Sequence, residues 1–340
     1  MAVKRNGKQT VRLQNPPSII STASIVGPKE GEGPLRLYFD AIIDDELWGE
    51  KSWEKAESKL VRETFGKILS KASKTPEDVN YVISGDLLNQ CIAATFGLRE
   101  SGVPFFGIYG ACSTMAESMS LGAMFIDGGF ADGVVCLTSS HFCSAEKQFR
   151  FPLELGSQRP PTAQWTVTGS GGVFVSNSGG GPYITYITTG KIIDLGIKDA
   201  NNMGAAMAPA AADTILTHFK DTGRTPDYYD LIATGDLGVV GRGICQELVK
   251  EQGYNMGSVY NDCGVMIYDL KKQDAHSGGS GCGCSATVLA GFIYSEIIKG
   301  SLNKVLFVAT GALLSPTSTQ QGETIPCIAH AVCIEKNKTG

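Results

Sequence analysis

Two stretches of this chain repeat each other at a fixed separation, and that repeat limits the possible folds more than any other feature. Thr75-Pro76-Glu77-Asp78 leads into an apolar run ending at Ser84-Gly85-Asp86-Leu87, and Thr225-Pro226-Asp227-Tyr228 leads into another ending at Thr234-Gly235-Asp236-Leu237. The paired threonines and the paired aspartates each stand 150 positions apart. Each unit reads as a Thr cap, Pro at the first helical position, a short turn and a strand, Val79 to Ser84 in one and Leu231 to Thr234 in the other. Further on, Gly110-Ala111-Cys112-Ser113 opens a helical stretch to Gly128 followed by a strand from Val134 to Thr138. Its counterpart is Gly283-Cys284-Ser285, a helical stretch to Gly300 and a strand from Val305 to Ala309. Ahead of the first unit, Trp53, Ala56, Leu60, Val61, Phe65 and Ile68 mark one helix face; Ile215, Leu216 and Phe219 mark a shorter second copy. Agreement in order and spacing indicates a duplicated unit.

Strands alternating with helices make this an α/β chain with parallel or mixed sheets covered on both faces. Two such halves packed back to back bury the helices between them. The stretch from Ser113 to Gly128 suits that place, because Met115, Ala116, Met119, Ala123 and Ile126 leave few polar positions. Gly179-Gly180-Gly181-Pro182 is the candidate boundary, giving halves of residues 1–180 and 181–340. Residues 141–166 have no second-half equivalent of similar length, and insertions of this kind often form lids or subunit contacts.

Several function classes are excluded as expectations. Lys and Arg number 29 against 34 acidic residues, so a net charge of -5 offers no global attraction for nucleic acid. Met1 to Gln9 is polar and basic, which argues against a signal peptide, and no run of about 18 apolar residues is present to cross a bilayer. Ala205 to Ala212, with Pro209, reads as the start of a helix. Ten cysteines without paired CxxC motifs point to free thiols in a reducing compartment, mostly as small core residues.

Cys112 follows a strand-like segment through Gly110 and begins a helix, where backbone N–H groups and the helix dipole lower a thiol pKa. The other reading is a buried small side chain at a tight elbow. A thiol nucleophile needs a base, and of the four histidines His218 reads as a surface or helix-end residue and His276 as a loop residue. His141 and His330 stand at strand positions and serve either as bases or as hydrogen-bonded structural groups. Asp86 and Asp236 occupy equivalent strand ends, the edge where open α/β sheets bind ligands; they act as acid and base, hold a cation, or cap backbone amides. Gly278 to Gly283 is a glycine-rich loop suited to offering N–H groups to an anion, without the ending of a nucleotide-binding P-loop. Lys147, Arg150 and Arg159 in the insertion can pair with carboxylates, though an exposed, solvated position is the plainer expectation for each.

These residues resemble a known superfamily. Gly110-Ala111-Cys112-Ser113 on a central helix in a duplicated chain resembles the thiolases and β-ketoacyl synthases, whose five layers run αβαβα with two mostly parallel or mixed sheets. Longer segments, among them Gly85-Asp86-Leu87-Leu88-Asn89-Gln90, Gln148-Phe149-Arg150, Asn261-Asp262-Cys263-Gly264 and Thr310 to Thr317, resemble the stage V sporulation protein AD family over nearly the whole chain. That resemblance implies a dipicolinic acid (pyridine-2,6-dicarboxylate) binding protein; Asp86 and Asp236 would repel such a dianion unless they bond to backbone, are protonated, or share a calcium ion chelated by the ligand, with calcium or capping the favoured explanations. It implies other proteins of the spore's channel assembly as partners, a place on the cytoplasmic side of the forespore against the spore inner membrane, and a homodimer by analogy with thiolases. The chain departs from the enzymes where they carry their chemistry. Synthases place a histidine where this chain reads Thr234-Gly235-Asp236-Leu237, and an asparagine in a loop that here reads Gly281-Cys282-Gly283-Cys284-Ser285.

The reading is therefore a non-catalytic binding protein without a cofactor or a metal of its own. It uses the former active-site cleft, with Asp86, Cys112, Arg150, Asp236, Cys284 and His330 around the ligand. The rivals are an acyl-thioester condensing enzyme or acyltransferase with Cys112 as nucleophile, and a scaffold whose surface docks membrane proteins.

Overall fold

The computed structural model describes residues 3–149 and 159–338. Its strands are, in chain order, β1 Arg5–Asn6, β2 Thr10–Arg12, β3 Ser18–Val26, β4 Ala41–Ile42, β5 Tyr81–Gly85, β6 Phe105–Gly107, β7 Gly133–Ser140 and β8 Trp165–Thr166. They continue with β9 Gly169–Ser176, β10 Tyr183–Thr188, β11 Leu231–Thr234, β12 Tyr260–Asp262, β13 Gly279–Ser280, β14 Lys304–Ala312 and β15 Cys327–Glu335. The helices that matter here are α1 Trp53–Ala72, α2 Thr114–Asp127, α3 Phe142–Phe149, α4 Met203–Thr222, α5 Gly238–Glu251 and α6 Cys282–Val288, the last running on through a wider π turn to Lys299.

The duplication is visible in the sheet. One set runs β3-β9-β7-β5-β6 and the other β10-β15-β14-β11-β12, in the same order. Pairing directions also match: β3 and β7 are antiparallel to β9 as β10 and β14 are to β15, and the remaining pairs are parallel. The two sets are joined by a single pairing, Tyr183 with Ser18, so the hydrogen-bonded path is continuous. α1 covers the outer face of the first set and α4 with α5 that of the second, while α2 and α6 lie between the sets. These are the five layers.

Burial explains the central layer. Met115, Ala116, Met119 and Ala123 of α2 and every residue of α6 are buried, and the α2 residues share one apolar cluster with Cys284, Ala286 and Val288 of α6 and with Ile83, Val134, Val175, Val305 and Val332 from both sets. Glycine permits the closest approach. A Cβ on Gly171 of β9 would stand 2.4 Å from the backbone carbonyl of Ala286 in α6, so helix and sheet meet backbone to backbone.

Two expectations are corrected. α4 has 20 residues, the same as α1, and is not a shorter copy; its first half is small and almost entirely buried, which erases the polar face that periodicity relies on. Pro209 lies inside that helix, not at its start. His218 is fully buried, with Nε2 against the Tyr229 hydroxyl at 2.5 Å and Nδ1 against Thr188 Oγ1 at 2.8 Å; burial pushes its pKa down to about 3. Among the described residues, no helix is long and apolar enough to cross a membrane.

Because the Gly171 contact is backbone against backbone, Gly171→Val is expected to cost about 3 kcal/mol or more in denaturant unfolding. Gly180→Ala, whose added methyl meets nothing within 4 Å, is expected to change little. Equal stabilities for the two variants would contradict this packing.

Candidate functional site

The site lies where the C-terminal ends of the parallel strands from both sets converge. A turn of 3-10 helix, Ala111–Ser113, precedes α2, and Ala111 holds φ 48°, a left-handed conformation costly for a residue with a Cβ. That elbow places Cys112 at the floor of a cavity of about 630 Å³, within the range of small-molecule sites. Leu87, Ala145, Phe149, Met203 and Leu314 form apolar walls, and Gln164, Ser280 and Asn201 supply polar groups.

Asp236 stands behind Cys112. Its carboxylate accepts Thr310 Oγ1 at 2.8 Å, Ser280 Oγ at 3.1 Å and the Gly281 N–H at 2.9 Å, and the Cys112 thiol lies close enough to feel its charge. Both groups are buried. Burial, reinforced by the Asp236 charge, pushes the Cys112 thiol well above its ordinary range, so the sulfur is a neutral S–H at physiological pH. This reverses the expectation of a lowered pKa at the helix start: removal from water and a carboxylate neighbour outweigh the helix dipole. Cys282 begins α6 beside them, with its thiol 3.0 Å from the Ala111 carbonyl, and packs with Leu87, Ala111, Cys112 and Ala145.

The other sequence candidates are placed as follows. Asp86 caps backbone, accepting the N–H groups of Leu88 at 2.9 Å and Ala94 at 2.8 Å. In the second half that capping passes to Asp262, which receives Leu237, Gly238 and Val265 N–H groups, leaving Asp236 free to face the first half. Cys284 is fully buried with its sulfur toward the Gly235 carbonyl at 3.6 Å, and His330 accepts the Gly190 N–H on Nδ1 at 3.2 Å; neither lines the cavity. Burial pushes His330 down to about 4, so it is neutral. Arg150 lies outside the described residues.

His141 accepts the Cys143 N–H on Nδ1 at 3.1 Å while Nε2 meets the Glu46 carbonyl at 2.7 Å. Glu46, His141 and Cys143 have ligand atoms within 4.8 Å of one another, yet both ring nitrogens are already engaged, which leaves the imidazole no lone pair for a metal. The glycine-rich loop does not present open N–H groups: Gly281 gives its own to Asp236 and Gly283 to Ser140 Oγ at 2.9 Å. Lys147 pairs with Glu54 at 2.6 Å, and Arg159 is not solvated: it pairs with Glu146 at 2.8 Å and lies over the Phe142 and Trp165 rings.

Sequence reasoning missed two groups. Cys282, not Cys284, is the cysteine of the site, and the synthase-like loop already signalled it, because Cys282 directly follows Gly281 as asparagine follows glycine there. Gln164 had no signal. Its amide donates to the carbonyls of Asp236 at 2.6 Å and Gly279 at 2.8 Å, while its Oε1 is buried without a partner at the cavity. Behind the wall helix α3, the buried Glu57 accepts Ser139 Oγ at 3.0 Å and Ser144 Oγ at 2.7 Å, tying α3 to α1 and β7.

Solved structures share this arrangement. The chain superposes on 3-oxoacyl-[acyl-carrier-protein] synthase III from Aquifex aeolicus VF5 with TM-score 0.56 and 13% identity, over 94% of this chain and 99% of that one. Human mitochondrial 3-ketoacyl-CoA thiolase in complex with CoA gives TM-score 0.57 and 14% identity, over 96% and 99%. The chain therefore has the thiolase-like fold, with a cysteine-bearing elbow at the meeting of its halves. Sequence narrows this further: the family model for Stage V sporulation protein AD matches residues 7–335, and Stage V sporulation protein AD of Bacillus subtilis (strain 168) is 48% identical over 334 residues, 98% of each chain. The chain belongs to the stage V sporulation protein AD family.

Two outcomes follow from the site's buried acids. Burial raises Glu57, with the Asp86 charge adding to it, and holds Glu30 and Asp262 at about 7. Each keeps a proton in the folded state at pH values where the unfolded chain, with carboxyl pKa values near 4, has released it. These acids therefore contribute stability that is lost as pH rises through about 7, opposed by the buried neutral His218 and His330, so Glu57→Gln is expected to lose less stability than the wild type between about pH 5 and about pH 8; identical pH dependences of the two melting temperatures would contradict the buried proton on Glu57. Cys112 is expected to react with iodoacetamide at least about tenfold more slowly than free cysteine at neutral pH, and faster in Asp236→Asn, read by mass spectrometry of the Cys112 peptide. A wild-type rate matching a synthase-like activated thiol would contradict the neutral sulfur.

Proposed function

We propose that this chain binds dipicolinate, as its calcium chelate, in the cavity over Cys112 and does not transform it. The carrying observation is the Cys112–Asp236 proximity: the thiol that would attack an acyl group is neutral and lies beside a carboxylate, where the synthases have a histidine. A carboxylate in that place repels a developing oxyanion and gives no hydrogen bond to it. Cys282 in the asparagine position adds only a weak donor, already turned to the Ala111 carbonyl.

The cavity's chemistry favours a neutral chelate over a free dianion. Its apolar walls suit an aromatic ring, while the unpartnered Gln164 Oε1 is an oxygen acceptor that calls for a cation. Amide and carboxylate oxygens are ordinary calcium ligands. A dianion alone would sit over the buried Asp236 carboxylate behind Cys112, which repels it. Family membership supports the same reading and a place at the forespore side of the spore inner membrane among other channel proteins.

Isothermal titration of the purified chain with dipicolinate is expected to give saturable heat with calcium present, weaker binding when calcium is chelated away, and about tenfold loss in Gln164→Met. No saturable heat under either condition would overturn the proposal. A stable acyl adduct on Cys112 after incubation with acyl-CoA thioesters, detected by intact mass, would favour the acyltransferase instead.

A further inference from the structure

We propose that an open basic groove at the opposite end of the molecule from the cavity docks this chain onto an anionic lipid surface. The groove has a volume of about 610 Å³ and is lined by Lys4, Arg5, Arg12 and Lys338 together with Val3 and Tyr186, with no acidic side chain among the described residues that line it. Sequence explains its sign. From Val3 to Gly27 the chain carries Lys4, Arg5, Lys8 and Arg12 and no acidic residue, on a protein whose net charge is -5. The fold then adds to it: β2 pairs with β10, β10 pairs with β15, and Lys336 and Lys338 follow the end of β15.

The neighbouring acids are already engaged. Asp127 receives the Asn15 N–H at 2.8 Å and Lys4 at 2.9 Å, Asp221 receives backbone N–H groups of Lys8, Gln9 and Thr10, and Glu335 pairs with Arg224 at 2.8 Å. The cations are spread out, each stationed beside its own neighbour. The Arg5 guanidinium donates to the Gly7 and Lys8 carbonyls, Arg12 lies beside the Tyr186 ring and Lys338 over Tyr183. Lys304 extends the row over Tyr228. Charges that do not converge suit a laterally mobile array of headgroup phosphates better than one chelated anion. Interleaved tyrosines and the 81% exposed Val3 suit the interfacial zone of a bilayer.

The geometry also orients the molecule. Cys112 precedes the N-terminus of α2 and Lys4 binds its C-terminal residue Asp127, so cavity and groove are separated by that helix of 14 residues, about 20 Å. Docking through the groove leaves the cavity mouth facing away from the lipid.

Vesicle sedimentation with the full chain tests this. At low salt the protein is expected to bind vesicles of phosphatidylcholine mixed with phosphatidylglycerol and not vesicles of phosphatidylcholine alone, with release at high salt. Arg5→Ser/Arg12→Ser/Lys338→Ser is expected to lower the bound fraction at least tenfold with an unchanged melting temperature, and Arg5→Lys/Arg12→Lys/Lys338→Arg to retain it. Absence of wild-type binding to anionic vesicles, equal binding to neutral ones, or wild-type binding by the serine variant would each overturn the proposal. None of these outcomes bears on ligand binding in the cavity.

Discussion

Asp236 is a buried carboxylate at the place where the two halves of the chain meet, and much of the site is arranged around keeping it there. It accepts from β14 through Thr310, from β13 through Ser280 and from the start of α6 through Gly281, and its charge acts on the Cys112 thiol of the first half. A buried carboxylate is tolerated only where donors surround it. One residue thus closes the second half's loop and, from beside the nucleophile elbow, holds its cysteine as a thiol.

The duplication made this possible without disturbing the fold. Asp86 and Asp236 stand at equivalent strand ends, but only Asp86 caps the local backbone. Asp262 takes over that duty in the second half by reaching Leu237 and Gly238, so Asp236 can turn toward the other half. Equivalent positions in a repeated unit have acquired different roles through a neighbour that absorbed the structural one.

Much of the architecture was legible in the sequence because it rests on local signals. The Thr-Pro turns, the strands that follow them and the apolar helix from Thr114 to Asp127 all carry periodicity or cap chemistry. α4 was read too short, because a run of buried alanines shows no polar face. Cys112 and Asp236 were legible from their place at strand and helix ends. His141 and His330 follow their hydrogen-bonded structural alternative, whereas His218 was not legible, since it is buried by partners outside its own helix, Tyr229 and Thr188. Gln164 could not be found at all: its importance comes from an oxygen left without a partner, which is a property of packing and has no local signature.

The proposed function requires that the cavity over Cys112 receive its ligand without the thiol reacting. A crystal structure of the chain grown with dipicolinate and calcium tests it most directly. The account predicts density for the ring between the Leu87 and Phe149 walls, calcium within coordination distance of Gln164 Oε1, and an unmodified Cys112 sulfur. An empty cavity under saturating ligand, or a covalent adduct on Cys112, would contradict it.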